Sequence, residues 1–429
     1  MLGTKVVGGS WSQLRGSFLR LSQRQLVVGG GILTGRLGGF ITGAIAARAL
    51  GPGLFAVYTV GFTIFSSLTQ LTTFAETWLV SRWGDSRTLP TAKRVVWQIK
   101  LWAALASLGI AIVVGIFDPG VIARFGITTL TLAIAVAAAG VAALSTAGAS
   151  TFQAEQNFMA YAAIVALSPL MGAALSVAIA LMGVSDPAVY LAAITVSYCP
   201  TATLAYFRLR SEASASLTLP LMKNALRFGG WVTIGSFAYV LFQRVDVFLL
   251  AALASHEAVG IYGVAARLAM IAAVFGNTIT TILMPIGSRA ETWASPDLRR
   301  AYSLESAVSI VVTFAFVGLA ALVTPLIIRS VFGVGYLGAI GPTRILLLSQ
   351  AIVIAQMPFY FALYGLNGAR WIAALGLAQL AAATGVGYIL VARYGPLGAA
   401  WSNVLTYTLG AIVVAAFHWR RRLLRQAPA

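Results

Sequence analysis

The sequence predicts an all-α integral membrane protein with twelve transmembrane helices arranged in two six-helix lobes. Its 429 residues are 59% hydrophobic and 9% charged, whereas a soluble domain carries about 25% charged residues. Apolar runs of about 20 to 25 residues, the length that crosses a bilayer, follow one another along the chain. Basic residues border these runs, which is the charge pattern that orients a membrane protein. A soluble fold is therefore excluded.

The first apolar run, residues 26–50, contains only two charged residues, Arg36 and Arg48. Its glycines at positions 31, 35, 39 and 43 fall every fourth residue. Such a face of small residues allows another helix to pack closely in a membrane. By the same criteria, the further predicted spans are 54–80, 95–117, 127–150, 158–182, 187–208, 229–253, 258–284, 304–328, 343–366, 371–392 and 396–418.

The N-terminal segment precedes the first span and is basic, with no short apolar core of a cleavable signal peptide. Its residues Trp11, Leu14, Phe18 and Leu21 share one helical face. We expect an amphipathic helix on the cytoplasmic leaflet, with a disordered basic tail as the alternative. The predicted parts of the chain are the N-terminal segment 1–25, the lobes 26–215 and 216–418, and the basic tail 419–429.

The two halves carry an internal repeat. The first span ends at Leu50 and the next opens around Tyr58, and the same arrangement returns with Leu253 and Tyr262. Internal repeats are typical of membrane transporters. Because each half has an even number of spans, the halves share one orientation and are expected to be related by a pseudo-two-fold axis along the membrane normal.

Most of the 29 Lys and Arg residues lie in segments that share one side of the membrane if both termini are cytoplasmic. The positive-inside rule therefore predicts a multi-pass protein with both termini in the cytoplasm. The net charge of +18 would also suit nucleic acid. Since the basic residues border the spans, no nucleic-acid partner is expected.

Several kinds of chemistry are excluded by composition. The single cysteine, Cys199, excludes an intrachain disulfide, and two distant histidines, His256 and His418, do not make a metal cluster. The glycine-rich run 29–39 is not a phosphate loop, because it lies in a span and no Gly-Lys-Ser/Thr follows. We expect no cofactor, no metal and no enzymatic activity.

Arg36, Arg244, Arg267 and Asp246 are charged residues that fall deep inside predicted spans, away from the span ends. Ionisable groups at this depth usually face a cavity or a partner. Asp246 and Arg267 lie at similar heights on consecutive antiparallel helices, so one expectation is an interhelical salt bridge. Arg36 and Arg244 would then remain, one from each half. We expect them to line a central cleft and to bind an anion such as a pyrophosphate, which arginine suits by its fork geometry.

Other polar residues in the spans give weaker hypotheses. Asp246 and Glu76 are the candidates for ion coupling, although Glu76 is near a span end and its alternative role is a solvated edge residue. Gln70 and Gln243 could hydrogen-bond sugar hydroxyls or simply bridge helices. Arg267 joins Arg36 and Arg244 as a candidate substrate-binding residue.

The chain resembles the polysaccharide flippase branch of the multidrug/oligosaccharidyl-lipid/polysaccharide exporter superfamily. The residues that carry the resemblance are Ala46-Ala47-Arg48-Ala49-Leu50-Gly51-Pro52 with Tyr58, Arg244-Val245-Asp246, Ala258-Val259-Gly260-Ile261-Tyr262, Met284-Pro285 and Tyr394-Gly395-Pro396-Leu397-Gly398-Ala399-Ala400. The resemblance implies alternating-access movement of a polyprenyl-pyrophosphate-linked oligosaccharide across a bacterial inner membrane. It also implies a cationic central cavity, contact with membrane lipids and a polysaccharide polymerase as a candidate partner.

Four alternatives stay open. A multidrug or cation antiporter of the same superfamily would need acidic residues at depth, and a flippase for lipid-linked peptidoglycan precursors is a closer rival. A membrane glycosyltransferase would need catalytic carboxylates, and a purely structural subunit would not explain charges in both halves. A monomer is expected, because the repeat already supplies both sides of a cleft.

Overall fold

The computed structural model describes residues 11–71, 73–80, 89–116, 125–210, 220–223, 225–227, 240–287, 293, 295–365 and 369–426. The helices are α1 (Trp11–Gln70), α2 (Thr73–Val80), α3 (Leu89–Ile116), α4 (Thr129–Ala154), α5 (Phe158–Leu181), α6 (Pro187–Arg210), α7 (Val245–Leu253), α8 (His256–Gly287), α9 (Pro296–Ile327), α10 (Ile340–Gly365) and α11 (Ala369–Gln426). A π-helix, Ile328–Phe332, and a 3-10 helix, Val334–Ala339, join α9 to α10. The described residues contain no β-strand, which confirms the all-α prediction.

Two long helices each supply two spans because they bend sharply at a glycine. Gly51 in α1 has φ 68° and Gly395 in α11 has φ 53°, a region that only glycine enters without strain. Each is followed by a proline, whose fixed φ suits the start of a new helix. Among the described residues, eight helical stretches are long and apolar enough to cross a membrane, and two of them contain these bends. Together with α8 and the described part of the seventh span, α7, they account for the order of the twelve predicted spans.

The internal repeat is visible as two equivalent turns. The chain bends at Gly51 after Leu50, and it turns at Ala254 after Leu253. Beyond each turn a tyrosine is fully buried, Tyr58 in one lobe and Tyr262 in the other. The first lobe is built by α1 packing on α4, α5 and α6, and the second by α7, α8, α10 and α11.

The two lobes meet where the second part of α1 runs beside the first part of α8. A Cβ on Gly260 would lie 1.9 Å from the Pro52 carbonyl oxygen, and one on Gly263 would lie 2.5 Å from Thr59 Oγ1. The residue later in α8, Gly263, thus contacts the residue later in α1, Thr59. The two equivalent helices therefore run in the same direction. This is the geometry that a pseudo-two-fold axis along the membrane normal requires.

We call the end of the molecule that carries Gly51, Ala254 and the segment 328–339 the kink end. The lobes are tied together there by hydrogen bonds from Tyr336 Oη to Ala47 O at 2.7 Å and from Arg48 Nη1 to Ser330 O at 3.1 Å. The Arg267 guanidinium adds a contact with aromatic rings of α1 in the first lobe. These contacts hold the two lobes together at and near the kink end.

Some predicted features differ from the structure or fall outside it. The second span, predicted as continuous over 54–80, is interrupted between α1 and α2. The backbone is helical from Trp11 into the first span without a break. The side chains of 11–26 and of Met284 and Pro285 lie outside the described residues, as do those of the basic tail, so the surface helix remains a prediction.

Candidate functional site

Arg36 lies on the stripe of α1 that faces the other lobe. Phe40, Gly43 and Ala47 follow it at intervals of three or four residues, which is the spacing of one helix face. Phe40 contacts the Phe332 ring at 6.0 Å, and the Ala47 carbonyl accepts from Tyr336. Arg36 lies on the same stripe, about 10 Å farther from the kink end than Gly43, and its side chain is exposed. It therefore lies on the face of α1 that is turned towards the other lobe, farther from the kink end than Gly43.

Arg244 lies at a break in the seventh span. Gln243 and Arg244 form a turn, and α7 begins at Val245 with Arg244 as its N-cap residue. Residues 240–242 before this turn are helical, and 228–239 lie outside the described residues. Arg244 is half-buried, and its charge interacts with those of Asp246 and Arg267. Arg244 and Arg267 are therefore two interacting cations in an apolar environment. This arrangement is costly unless an anion binds between them.

Arg267 extends from α8 into the first lobe. Its guanidinium carbon lies 5.5 Å from the Phe55 ring centroid, 5.2 Å from that of Tyr58 and 4.8 Å from that of Phe62. We call these three rings the aromatic box. Their spacing along α1 places them on one helix face, and each lies within the ~6 Å range of a cation–π contact. Gly43 leaves room for the guanidinium, since a Cβ there would lie 2.2 Å from Arg267 Nη1.

The predicted salt bridge between Asp246 and Arg267 is wrong. The Asp246 carboxylate accepts instead from Tyr262 Oη, from Asn403 Nδ2 at 2.8 Å and from the Val247 backbone N at 2.8 Å. Tyr262 and Arg267 are five residues apart on α8, so they point about 140° apart around the helix. The tyrosine faces the interior of its own lobe, and the arginine faces the other lobe.

Asn403 is a site residue that sequence reasoning missed. It lies on α11 and donates to Asp246 Oδ2 and, at 3.1 Å, to Tyr262 Oη. All three side chains are buried in the second lobe. The repeat singles out one member of this triad, Tyr262, because Tyr262 occupies the position equivalent to Tyr58. Nothing near Asn403 in the sequence marks its role.

Glu76 is not the solvated edge residue that was considered. Lys100, whose side chain is 0% exposed, donates to the Glu76 carboxylate and to Thr146 Oγ1 at 3.1 Å. Glu76 is 24% exposed. The pair holds α2, α3 and α4 together within the first lobe, so the structure does not bring Glu76 to Asp246.

The two glutamine candidates are exposed and lie apart from each other. Gln70 is the last residue of α1, about 12 Å beyond Phe62, and Gln243 lies in the turn before α7. Neither makes a side-chain hydrogen bond with another described residue. Both amides are therefore available to a ligand.

The three arginines occupy one narrow layer of the molecule. Counted along their helices from the kink end, Arg244 lies about 14 Å deep, Arg267 about 17 Å and Arg36 about 21 Å. None of them forms an ion pair with a described acidic residue. The described residues also contain no group of three His, Cys, Asp or Glu side chains that could hold a metal ion. The layer is therefore suited to anions rather than to cations.

The chain is similar to a known sequence family and to solved transporters. A family model described as "Polysaccharide biosynthesis protein" matches residues 23–291. No protein of curated function matches the sequence. The structure resembles an inward-facing multidrug resistance MATE family transporter of the MOP superfamily, with a TM-score of 0.70, 16% identity, and coverage of 92% of this chain and 96% of that one.

Two further structural similarities lie in the same superfamily. The lipid II flippase MurJ in an inward closed conformation has a TM-score of 0.70 at 12% identity, over 91% of this chain and 86% of that one. A MOP superfamily transporter from Pyrococcus furiosus, described as having a binding pocket of reverse polarity, has a TM-score of 0.51 at 13% identity, over 93% and 97%. At these identities the similarity establishes a shared fold.

Proposed function

The chain belongs to the polysaccharide biosynthesis protein family, and on that premise we propose that it is a flippase for a polyprenyl-pyrophosphate-linked oligosaccharide. It moves this lipid from the inner to the outer leaflet by alternating access between its two lobes. Membrane lipids surround it, a polysaccharide polymerase receives its product, and one copy of the chain suffices.

The observation that carries the proposal is the layer of Arg36, Arg244 and Arg267, none of which forms an ion pair with a described acidic residue. Charges at this depth are expensive unless a counter-ion reaches them. A pyrophosphate linked to lipid and sugar carries about two negative charges and accepts bidentate hydrogen bonds from guanidinium groups. In this proposal Gln70 and Gln243, both exposed, hydrogen-bond the sugar hydroxyls.

Orientation follows from the distribution of basic residues. With both termini in the cytoplasm of a bacterial cell, the kink end faces outward, and the closed contacts there describe an inward-facing state. The substrate pyrophosphate would then enter the cleft from the cytoplasmic leaflet and meet Arg36 first, since Arg36 is the farthest of the three from the kink end.

Asp246 is the stronger candidate for coupling to an ion gradient. Its carboxylate is held by three neutral donors and no cation touches it, so taking up one proton would break no described ion pair. Glu76 is already engaged with Lys100.

The proposal is tested by transport in proteoliposomes with a fluorescent pyrophosphate-linked oligosaccharide lipid. Arg36→Ala and Arg244→Ala are each expected to lower the rate by about 10- to 100-fold, because a charge-assisted hydrogen bond contributes about 1.5–3 kcal/mol. Arg344→Ala is the matched control, since Arg344 bonds a backbone carbonyl, Ala321 O, outside the cleft. Full transport by either cleft variant would exclude that arginine as a required ligand.

A second arm separates this function from its rivals. An antiporter of cationic drugs would move cationic dyes and leave the pyrophosphate lipid in place. A flippase for peptidoglycan precursors would prefer a lipid-linked peptide disaccharide over an oligosaccharide without peptide. Faster movement of the peptide-free oligosaccharide is the result that we expect.

A further inference from the structure

We propose that the aromatic box, Phe55, Tyr58 and Phe62, is a positioning element that competes with the substrate's phosphates for Arg267. This inference rests on the proposed function and adds residues to it. In the present state the box holds the Arg267 guanidinium against the first lobe. When a pyrophosphate occupies the cleft, Arg267 leaves the rings and binds the anion.

The geometry of the box supports an arginine-binding role. The Phe55 and Tyr58 rings lie 5.5 Å apart with an interplanar angle of 18°, and the Tyr58 and Phe62 rings 6.1 Å apart with an angle of 16°. They form one continuous face along α1, and the guanidinium lies over all three. Phe55 and Tyr58 are 0% exposed, so this face is covered rather than open to solvent.

The box also lies across the interface between the lobes. Its rings belong to the first lobe and Arg267 belongs to the second, only four residues beyond Gly263 and its contact with Thr59. Arg267 therefore contributes to closure of the kink end whenever it rests on the rings. Arg244 interacts electrostatically with Arg267 and repels it, so an anion that binds both arginines replaces a repulsion with two attractions.

Competition for Arg267 and a purely structural role of the aromatic box predict different changes in anion affinity. If Arg267 must leave the box to bind the anion, weakening the box raises the anion affinity, because a smaller fraction of molecules has Arg267 occupied. If the box merely stabilised the fold, weakening it would leave the anion affinity unchanged or lower it. The sign of the change distinguishes the two roles.

The test uses the purified full chain in detergent with inorganic pyrophosphate as the probe, measured by isothermal titration calorimetry. Phe62→Leu removes the nearest ring and keeps a smaller apolar side chain. We expect it to tighten pyrophosphate binding about fivefold, the equivalent of one cation–π contact. Phe65→Leu is the matched control, because Phe65 contacts the Phe62 and Tyr198 rings and is not among the rings beneath Arg267.

A double-substitution cycle assigns the effect to Arg267. In an Arg267→Ala background, Phe62→Leu is expected to leave pyrophosphate affinity unchanged, since the group for which box and anion compete is absent. An equal tightening with and without Arg267 would overturn the proposal. So would an unchanged or weaker affinity for Phe62→Leu in the wild-type background.

The outcomes separate this proposal from the proposed function. If wild type binds pyrophosphate and Arg36→Ala weakens that binding, the anion cleft stands whatever Phe62→Leu does. If wild type does not bind pyrophosphate at all, both the cleft and the competition are overturned.

A second readout follows the lobes directly. With Cys199 replaced by Ala, spin labels at positions 185 and 257 lie on exposed residues of opposite lobes at the kink end. Pyrophosphate is expected to lengthen the distance between them in wild type, and Phe62→Leu to lengthen it without ligand. A distance that stays fixed in both cases would show that Arg267 does not contribute to closure, and it would overturn that part of the proposal.

Discussion

Asp246 shows how one buried carboxylate is kept stable without a cation in contact. Tyr262, Asn403 and a backbone amide donate to it, and charge-assisted hydrogen bonds of this kind are stronger than neutral ones. The nearby Arg244 adds electrostatic attraction from outside the triad. A group in this setting can gain or lose one proton while its neighbours stay in place.

We predict that Asp246→Asn separates transport from its energy source. Because an amide cannot take up the proton, substrate movement is expected to continue but to lose its response to an imposed pH gradient. Transport in proteoliposomes with and without the gradient measures this. Glu257→Gln, an exposed acid on α8, is the control and should respond like wild type. An undiminished gradient response in Asp246→Asn would remove Asp246 as the coupling residue.

The Lys100–Glu76 pair leads to a prediction about stability. Lys100 is 0% exposed and donates to the Glu76 carboxylate, so Glu76→Gln replaces a buried ion pair with a weaker bond to a neutral amide, at a cost of about 1.5–3 kcal/mol. Glu76→Gln should lower the thermal unfolding midpoint in detergent, and the double variant with Lys100→Met should recover most of the loss. Glu305→Gln, at an exposed position of α9, serves as the comparison. A midpoint unaffected by Glu76→Gln would mean that the lysine has another counter-charge.

At the scale of helices, the contact between α1 and α8 depends on the absence of side chains. Gly260 and Gly263 allow the α8 backbone to approach Pro52 and Thr59, and small residues are the usual means by which membrane helices pack closely. The sequence repeat marked this region, but the contact itself could not be predicted, because Gly260 stands in a short motif that fits a turn equally well.

We predict that Gly260→Ala loosens the kink end. The added methyl group would collide with the Pro52 carbonyl oxygen, and backbone cannot move aside as a flexible side chain can. The distance between spin labels at 185 and 257 should lengthen and broaden. Gly385→Ala in α11, where a Cβ meets nothing within 4 Å, should leave that distance unchanged. If the two variants behave alike, the close approach of α1 and α8 does not hold the lobes.

Some helix interruptions can be predicted from the sequence pattern and others cannot. The bends at Gly51 and Gly395 coincide with Gly-Pro pairs and were predicted as span boundaries. The turn at Gln243 and Arg244 has no glycine or proline, and an apolar run on either side predicts a continuous helix. The polar pair interrupts the span next to the buried Asp246, where the charges of Arg244 and Arg267 also interact. The break therefore reflects the tertiary environment rather than local propensity.

For the whole molecule, length and hydropathy were sufficient to predict an all-α membrane protein, whereas the superfamily was predicted from short motifs at the span ends. They were sufficient because each helix must satisfy its own backbone in a membrane, which leaves a strong sequence signal. The pairing of charges was not predictable to the same degree. Whether Arg267 meets Asp246 or the aromatic box depends on a rotation of about 140° around α8, and no hydrophobic pattern fixes the partner on each side.

We predict that both termini are on the cytoplasmic side. Single cysteines placed near the two ends, in a Cys199→Ala background, should react with a membrane-impermeant maleimide in inside-out vesicles and be protected in intact cells. A cysteine at position 185, near the kink end, should show the opposite pattern. Labelling of a terminus in intact cells would show that this terminus is outside the cell. The state inferred as inward-facing would then be outward-facing.

The space at Gly43 offers a way to arrest the protein for structural work. Counting back seven residues from Leu50 and from Leu253 gives Gly43 and Asp246. The equivalent positions therefore hold a carboxylate in one half and, in the other half, a glycine beside the Arg267 guanidinium. Gly43→Asp would place a carboxylate beside Arg267 and add an ion pair between the lobes. Such a variant should stop turnover while raising the melting temperature, and it would hold one conformer homogeneous enough for image averaging without an inhibitor or antibody.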